Sequence, residues 1–151
     1  MPVPPFEDNG DLPIGIHPAL LQEVLTHFGT STARRKIVAA RLERIYQVAV
    51  ATGGLARFVV FGSFVTTKPD PNDVDVIMLM ENDFDAGLLT GESRLLFDHS
   101  AADTFFGASV FWLRRTAAFG GEQATLEYWQ TKRDGNLRGI IEIVREQDDN
   151  Q

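Results

Sequence analysis

A chain of 151 residues, 44% of them hydrophobic, is long enough to bury one sizeable core and short for two, so a single domain spanning 1–151 is expected. The absence of cysteine excludes disulfides, thiolate metal sites and a cysteine nucleophile, and leaves oxygen or imidazole ligands for any metal, which points to hard cations. A formal charge of -7 argues against wrapping duplex nucleic acid with the whole surface, and no apolar run is long enough to cross a bilayer, so a cytoplasmic protein is expected.

In chain order, residues 1–16 carry Pro2, Pro4, Pro5, Gly10, Pro13 and Gly15 and read as an extended arm. Pro18 stands where a first helical position is expected, and Leu21, Val24, Leu25 and Phe28 follow at helical spacing until Gly29. Ser31 or Thr32 can cap a longer helix with Val38, Leu42, Ile45 and Ala49 on one face, ending at Gly53-Gly54. Its other face is read as a solvated basic surface of Arg34, Arg35, Lys36, Arg41 and Arg44. Phe58–Phe61 and Val74–Met80 are compact β-prone runs. The stretch between Glu81 and Gly107 has helical character broken at Gly87 and Gly91. A third strand is expected at Ser109–Leu113, a helix at Gln123–Gln130, a turn at Asp134-Gly135-Asn136, and a fourth strand at Gly139–Val144. The acidic end, 146–151, is expected to fray.

The chemistry concentrates between Phe61 and Val76. A strand ending in Gly62-Ser63 with a helical turn after it leaves backbone N–H groups for phosphate oxygens, and glycine admits close approach. Ser63 adds a hydroxyl donor, and Lys68 is the nearby cation. Asp73 and Asp75 alternate with Val74 and Val76, so on a strand both carboxylates face one way. Such a pair suits a magnesium or manganese ion bridged to nucleotide phosphates.

Strand, Gly62-Ser63, spacer and Asp73-Val74-Asp75 strand resemble the signature of the polymerase-β-like nucleotidyltransferase superfamily. Leu12–His17, Gly62–Lys68, Pro71–Asp73 and Trp129–Gly135 look like an uncharacterised bacterial stand-alone branch of it, kin to minimal nucleotidyltransferases of toxin–antitoxin systems. The resemblance implies an α/β (α+β) fold, a small mixed β-sheet flanked by helices. It also implies transfer of a nucleoside monophosphate from NTP to a hydroxyl of a protein, RNA or small molecule, with magnesium held by Asp73 and Asp75.

Active members carry a third carboxylate on the next core strand, where this chain has Ser109, a poor metal ligand and no base at neutral pH. Three outcomes stay open. Glu142, between Ile141 and Ile143, supplies the acid and is the first-ranked catalytic candidate; Asp98 or Asp103 reaches in from a loop; or the fold is catalytically degenerate and acts as a nucleotide-binding or antitoxin-like partner module. Lys132 and Arg133 are read as exposed, with phosphate binding the less favoured role. His17 is read as a packing residue, and Phe111, Trp112, Tyr128 and Trp129 as core or interface filling.

Overall fold

In the computed structural model, which describes residues 3–118 and 120–145, the chain is mixed α/β: five helices pack around one five-stranded mixed sheet in the order β1-β5-β2-β3-β4. The acidic tail expected to fray, 146–151, lies outside the described residues.

The arm leads through residues without regular structure into β1 (Ile16–Leu20), which pairs parallel with β5 (Ile140–Val144) at the sheet edge. This corrects the placement of Pro18, which lies inside that edge strand and not in a helix. Proline lacks the N–H that a central strand would need, so an edge accommodates it. The helix α1 begins later, at Leu21–Phe28, and buries Val24 and Phe28. His17 sits in β1, its Nε2 2.6 Å from the Pro13 carbonyl, which makes it a packing residue.

The Thr32 side chain accepts from the Arg35 N–H and starts α2 (Ala33–Ala51), whose Val38, Leu42, Ile45 and Ala49 are fully buried as their spacing predicts. Arg35 joins that stripe and is only 4% exposed, so it is not part of a solvated basic face. Arg44 is paired with Glu92, and Arg41 reaches the Gly107 carbonyl, which further divides the supposed patch.

β2 (Leu55–Phe61) runs antiparallel to both β3 (Asp75–Met80) and β5. Between β3 and β4 (Ser109–Arg114) the chain passes through α3 (Gly91–Leu96) and α4 (His99–Phe106), so these strands lie parallel. Asp98 caps α4 by accepting the Ala101 N–H, and Gly107 ends it in the left-handed region at φ 67°. α5 (Glu122–Tyr128) crosses back before β5.

The sheet separates two unequal apolar layers. On one face Phe58, Val60, Val76, Met78, Met80, Val110, Ile141 and Ile143 pack with buried residues of α1, α2, α3 and α4. On the other, Val59, Ile77 and Ile140 meet Leu126 of α5, with Ile16, Phe61, Phe111 and Trp129 around them. Strand alternation places Asp75 and Ser109 on this second, thinner face, because they are in register with Phe61 and with each other. Among the described residues, no helix is long and apolar enough to cross a membrane.

Candidate functional site

β2 ends as its apolar run meets Gly62, whose backbone (φ 81°, ψ -166°) turns the chain into a short 3-10 turn at Ser63–Val65. A side chain here would be strained by that φ and would also overlap the Asp75 carboxylate. The glycine is thus required twice: it makes the turn, and it lets the Asp75 carboxylate lie against the end of β2.

The loop after the turn is held from below. Arg35 donates to the carbonyls of Phe28, Phe64, Thr66 and Lys68 at 2.6 to 3.1 Å, and its guanidinium lies over the Phe64 ring. Burial lowers the Arg35 pKa, and the carbonyl cradle is what allows a charged group at this depth. Thr66 adds a bond from its hydroxyl to the Ser63 carbonyl at 2.7 Å. Helical spacing carries the signal that finds Arg35: it stands three residues before Val38, on the apolar stripe.

Asp73 and Asp75 converge at the start of β3. The Ser109 hydroxyl donates to Asp73 Oδ2 at 3.3 Å, while Ser109 itself is the register partner of Asp75. Asp75 is pushed up to about 6, first by burial and then by the charge of Asp73. The Ser109 hydroxyl and the charges of Arg138 and Arg133 oppose that rise without cancelling it. Arg133 lies within, and Arg138 just after, a short hairpin closed by the Thr131↔Leu137 bridge, with Gly135 at φ 87° in its turn. Neighbouring Lys132 is instead bound to Asp11 at 2.8 Å. Lys68 is exposed on the loop after the turn, and its carbonyl serves Arg35. The cations acting on Asp75 are therefore Arg138 and Arg133; Arg138 is partly engaged by Asp11 at 3.7 Å and was not singled out from sequence.

Glu142 is not brought to the pair. It lies on the same sheet face, but β5 is separated from β3 by β2, and Glu142 is in register with Val59 while Asp75 is in register with Phe61. Two strand spacings amount to about 10 Å sideways, with a further offset along the strands. Its carboxylate is held in a two-pronged bond to Arg57, at 3.0 and 2.7 Å. That bond, more than any other contact, raises the Arg57 pKa. Glu142 and Arg57 line a groove of about 610 Å³ together with Ile14, Gln123 and Leu137. Asp98 is occupied as a helix cap, and Asp103 lies within α4. Ser109 thus occupies the strand position beside the pair, and among the described residues no third acid replaces it.

The donor set suits a divalent cation that is shared with phosphate: Asp75 at the first position of β3, Asp73 in the loop just before it and not on the strand as expected, a repulsion that a cation relieves, and a hydroxyl between them. A cation held by protein alone would need more. Among the described residues, no group of three or more His, Asp or Glu side chains is arranged to hold one. No curated protein and no solved structure matches the chain. Residues 4–144 match the model of a family described as a family of unknown function, DUF6932, and the chain belongs to that family.

Proposed function

We propose that this chain is a nucleotidyltransferase-type protein that binds a nucleoside triphosphate with magnesium or manganese at Gly62, Ser63, Asp73 and Asp75. The reaction is transfer of the nucleoside monophosphate to a hydroxyl of a protein, RNA or small molecule. The observation that carries this reading is the meeting of Asp73 and Asp75 around Ser109, against a glycine that cannot bear a side chain. The superfamily resemblance of the sequence supports it, since the Gly-Ser turn follows β2, Asp75 opens β3 with Asp73 just before it, and Ser109 opens β4, three strands that are neighbours in the sheet.

Asp73 and Asp75 would hold the cation, and when bound it would supply polarisation of the reacting phosphate and charge compensation for the leaving pyrophosphate. Gly62 keeps the backbone open to phosphate, Ser63 offers its hydroxyl, and Arg138 and Arg133 offset phosphate charge from the hairpin side. Arg35 positions the turn without touching substrate.

A second reading has its own observation. With Ser109 in the third-acid position and Glu142 held by Arg57, no third carboxylate among the described residues is placed to deprotonate an acceptor, which favours nucleotide binding without turnover, as in a partner or antitoxin-like module. Calorimetry with Mg–ATP, together with label transfer from all four NTPs to candidate acceptors, tests both. Binding should need the cation and fall at least about a hundredfold in Asp73→Ala/Asp75→Ala, the loss expected when both ligands of a charged site are removed. Binding unaffected by that double substitution sinks the assignment. Transfer by the wild type supports the enzyme; transfer that appears only in Ser109→Asp supports the degenerate module.

A further inference from the structure

The sheet face that holds the Asp pair also holds an aromatic surface that the phosphate chemistry leaves unused. Phe61 is the register partner of Asp75 across β2 and β3. Phe111 follows Ser109 by two residues on β4 and so shares its face. Trp129, at the C-terminal cap of α5, closes the set with ring centroids 4.9 Å from Phe61 and 5.0 Å from Phe111, while Phe61 and Phe111 are 6.3 Å apart. His99 backs the Phe111 ring at 4.7 Å and 30°, and its Nδ1 lies 3.0 Å from the Val110 carbonyl, an acceptor, so this nitrogen carries a hydrogen. That bond fixes the imidazole against the phenylalanine.

We propose that Phe61, Phe111 and Trp129 form a stacking platform for the nucleobase of the nucleoside triphosphate whose phosphates meet Asp73 and Asp75. The inference rests on the nucleotide-binding reading above and extends it from the phosphates to the base. Phe28, Phe58 and Phe64, at the centre of the opposite face, are at most 2% exposed, while Phe6, Tyr46 and Trp112 at its margin are partly buried and lie away from the Asp pair. The three platform rings are only partly buried, although they border Val59, Ile77, Leu126 and Ile140. Partly open aromatic surface directly beside two carboxylates is an arrangement suited to a ligand with a charged end and a flat apolar end. A nucleotide has that shape. With its phosphates at the start of β3, the sugar spans toward β2 and the base reaches the rings. Stacking recognises the π-face that every base has, so the platform contributes affinity without choosing a sequence or a single base.

The test uses Trp129 as its own reporter. The chain has two tryptophans, so Trp112→Phe leaves Trp129 as the sole emitter. This protein is titrated with Mg–ATP, Mg–ribose 5-triphosphate and Mg–inorganic triphosphate, with emission and calorimetric Kd read together. ATP should quench Trp129 and bind about ten- to a hundredfold tighter than the two ligands without a base. In the native background, Trp129→Leu, which keeps apolar bulk, should erase that advantage and leave inorganic triphosphate affinity within about twofold; Phe111→Leu should reduce it in the same direction. Equal binding of all three ligands with unchanged emission overturns the platform while the phosphate site stands. So does an equal loss of triphosphate affinity in both leucine variants, which marks the rings as structural. Failure of all three ligands to bind overturns the nucleotide reading and the platform with it.

Discussion

Two pairs of acids share one face of the sheet and have opposite surroundings. Glu142 and Glu122 face Arg57, and Glu122 also faces Arg115 at 2.7 Å, so each carboxylate has a guanidinium in direct contact. Asp73 and Asp75 face each other, with a serine between them and arginine charge acting from the hairpin. The first cluster joins β2, β5 and α5 and needs no ligand. The second keeps a repulsion that the fold has the means to remove, as the first cluster demonstrates. A site that stores unfavourable charge is poised to gain from a cation, and this contrast separates a structural ion pair from a binding site better than any count of acids.

Removing the compensation from the first cluster should turn it into something like the second. Arg57→Ala leaves Glu142 without its guanidinium and takes the weaker of two partners from Glu122, which keeps Arg115. We expect a loss of about 2–4 kcal/mol in urea unfolding, below the range for fully buried pairs because the groups retain some solvent contact. A loss under about 0.5 kcal/mol would make the ion pair incidental to stability and weaken the contrast.

The opposite change relieves the second cluster. Asp75 is pushed up to about 6 in the folded state against the ordinary value of 3.8 that the unfolded chain takes, so between those values the folded state holds a proton that the unfolded state has lost. Its stabilising protonated form is fully present below about pH 4, and that stability is lost as pH rises through about 6. Asp75→Asn mimics the protonated acid. The variant should therefore match wild type near pH 4 and exceed it at pH 8 by about 1–3 kcal/mol, measured as Tm or urea midpoint across pH. Addition of Mg–ATP should reverse the order, because only the wild type has the charged ligand to gain. A variant less stable than wild type at pH 8 without ligand would show that the carboxylate is not under stress.

The local parts of this arrangement are legible in sequence, and the lateral parts are not. Gly62-Ser63 ends one short apolar run and Asp73 and Asp75 open the next, and strand periodicity puts Asp75 and Ser109 on one face. Glu142 shows the identical alternation between Ile141 and Ile143. What separates it from the Asp pair is the insertion of β2 between β5 and β3, a long-range pairing that no local pattern encodes. Pro18 was open to misreading for a similar reason. A proline at a helix start and one in an edge strand both dispense with an N–H, and only the pairing of β1 with β5 decides between them. The burial of Arg35 was within reach, since its spacing from Val38 and Leu42 puts it on the apolar stripe. A rule that assigns every arginine to solvent overrides that spacing, because it ignores four backbone carbonyls turned inward.

The smallest effect makes the sharpest division between the clusters. Glu142→Gln keeps the shape of the side chain and a hydrogen bond to Arg57 but removes its charge, while Glu122 stays within 3.5 Å of the same guanidinium. The structure therefore assigns the substitution a cost of about 1 kcal/mol in unfolding and no more than about a twofold change in Mg–ATP affinity or in any transfer rate. A catalytic acid behaves in the reverse way: stability stays put and the rate falls by orders of magnitude. Measuring unfolding and binding on the same preparation reads both at once. Should nucleotide affinity or transfer collapse while the urea midpoint is unmoved, β5 reaches the Asp pair in the working state and the two clusters are one site.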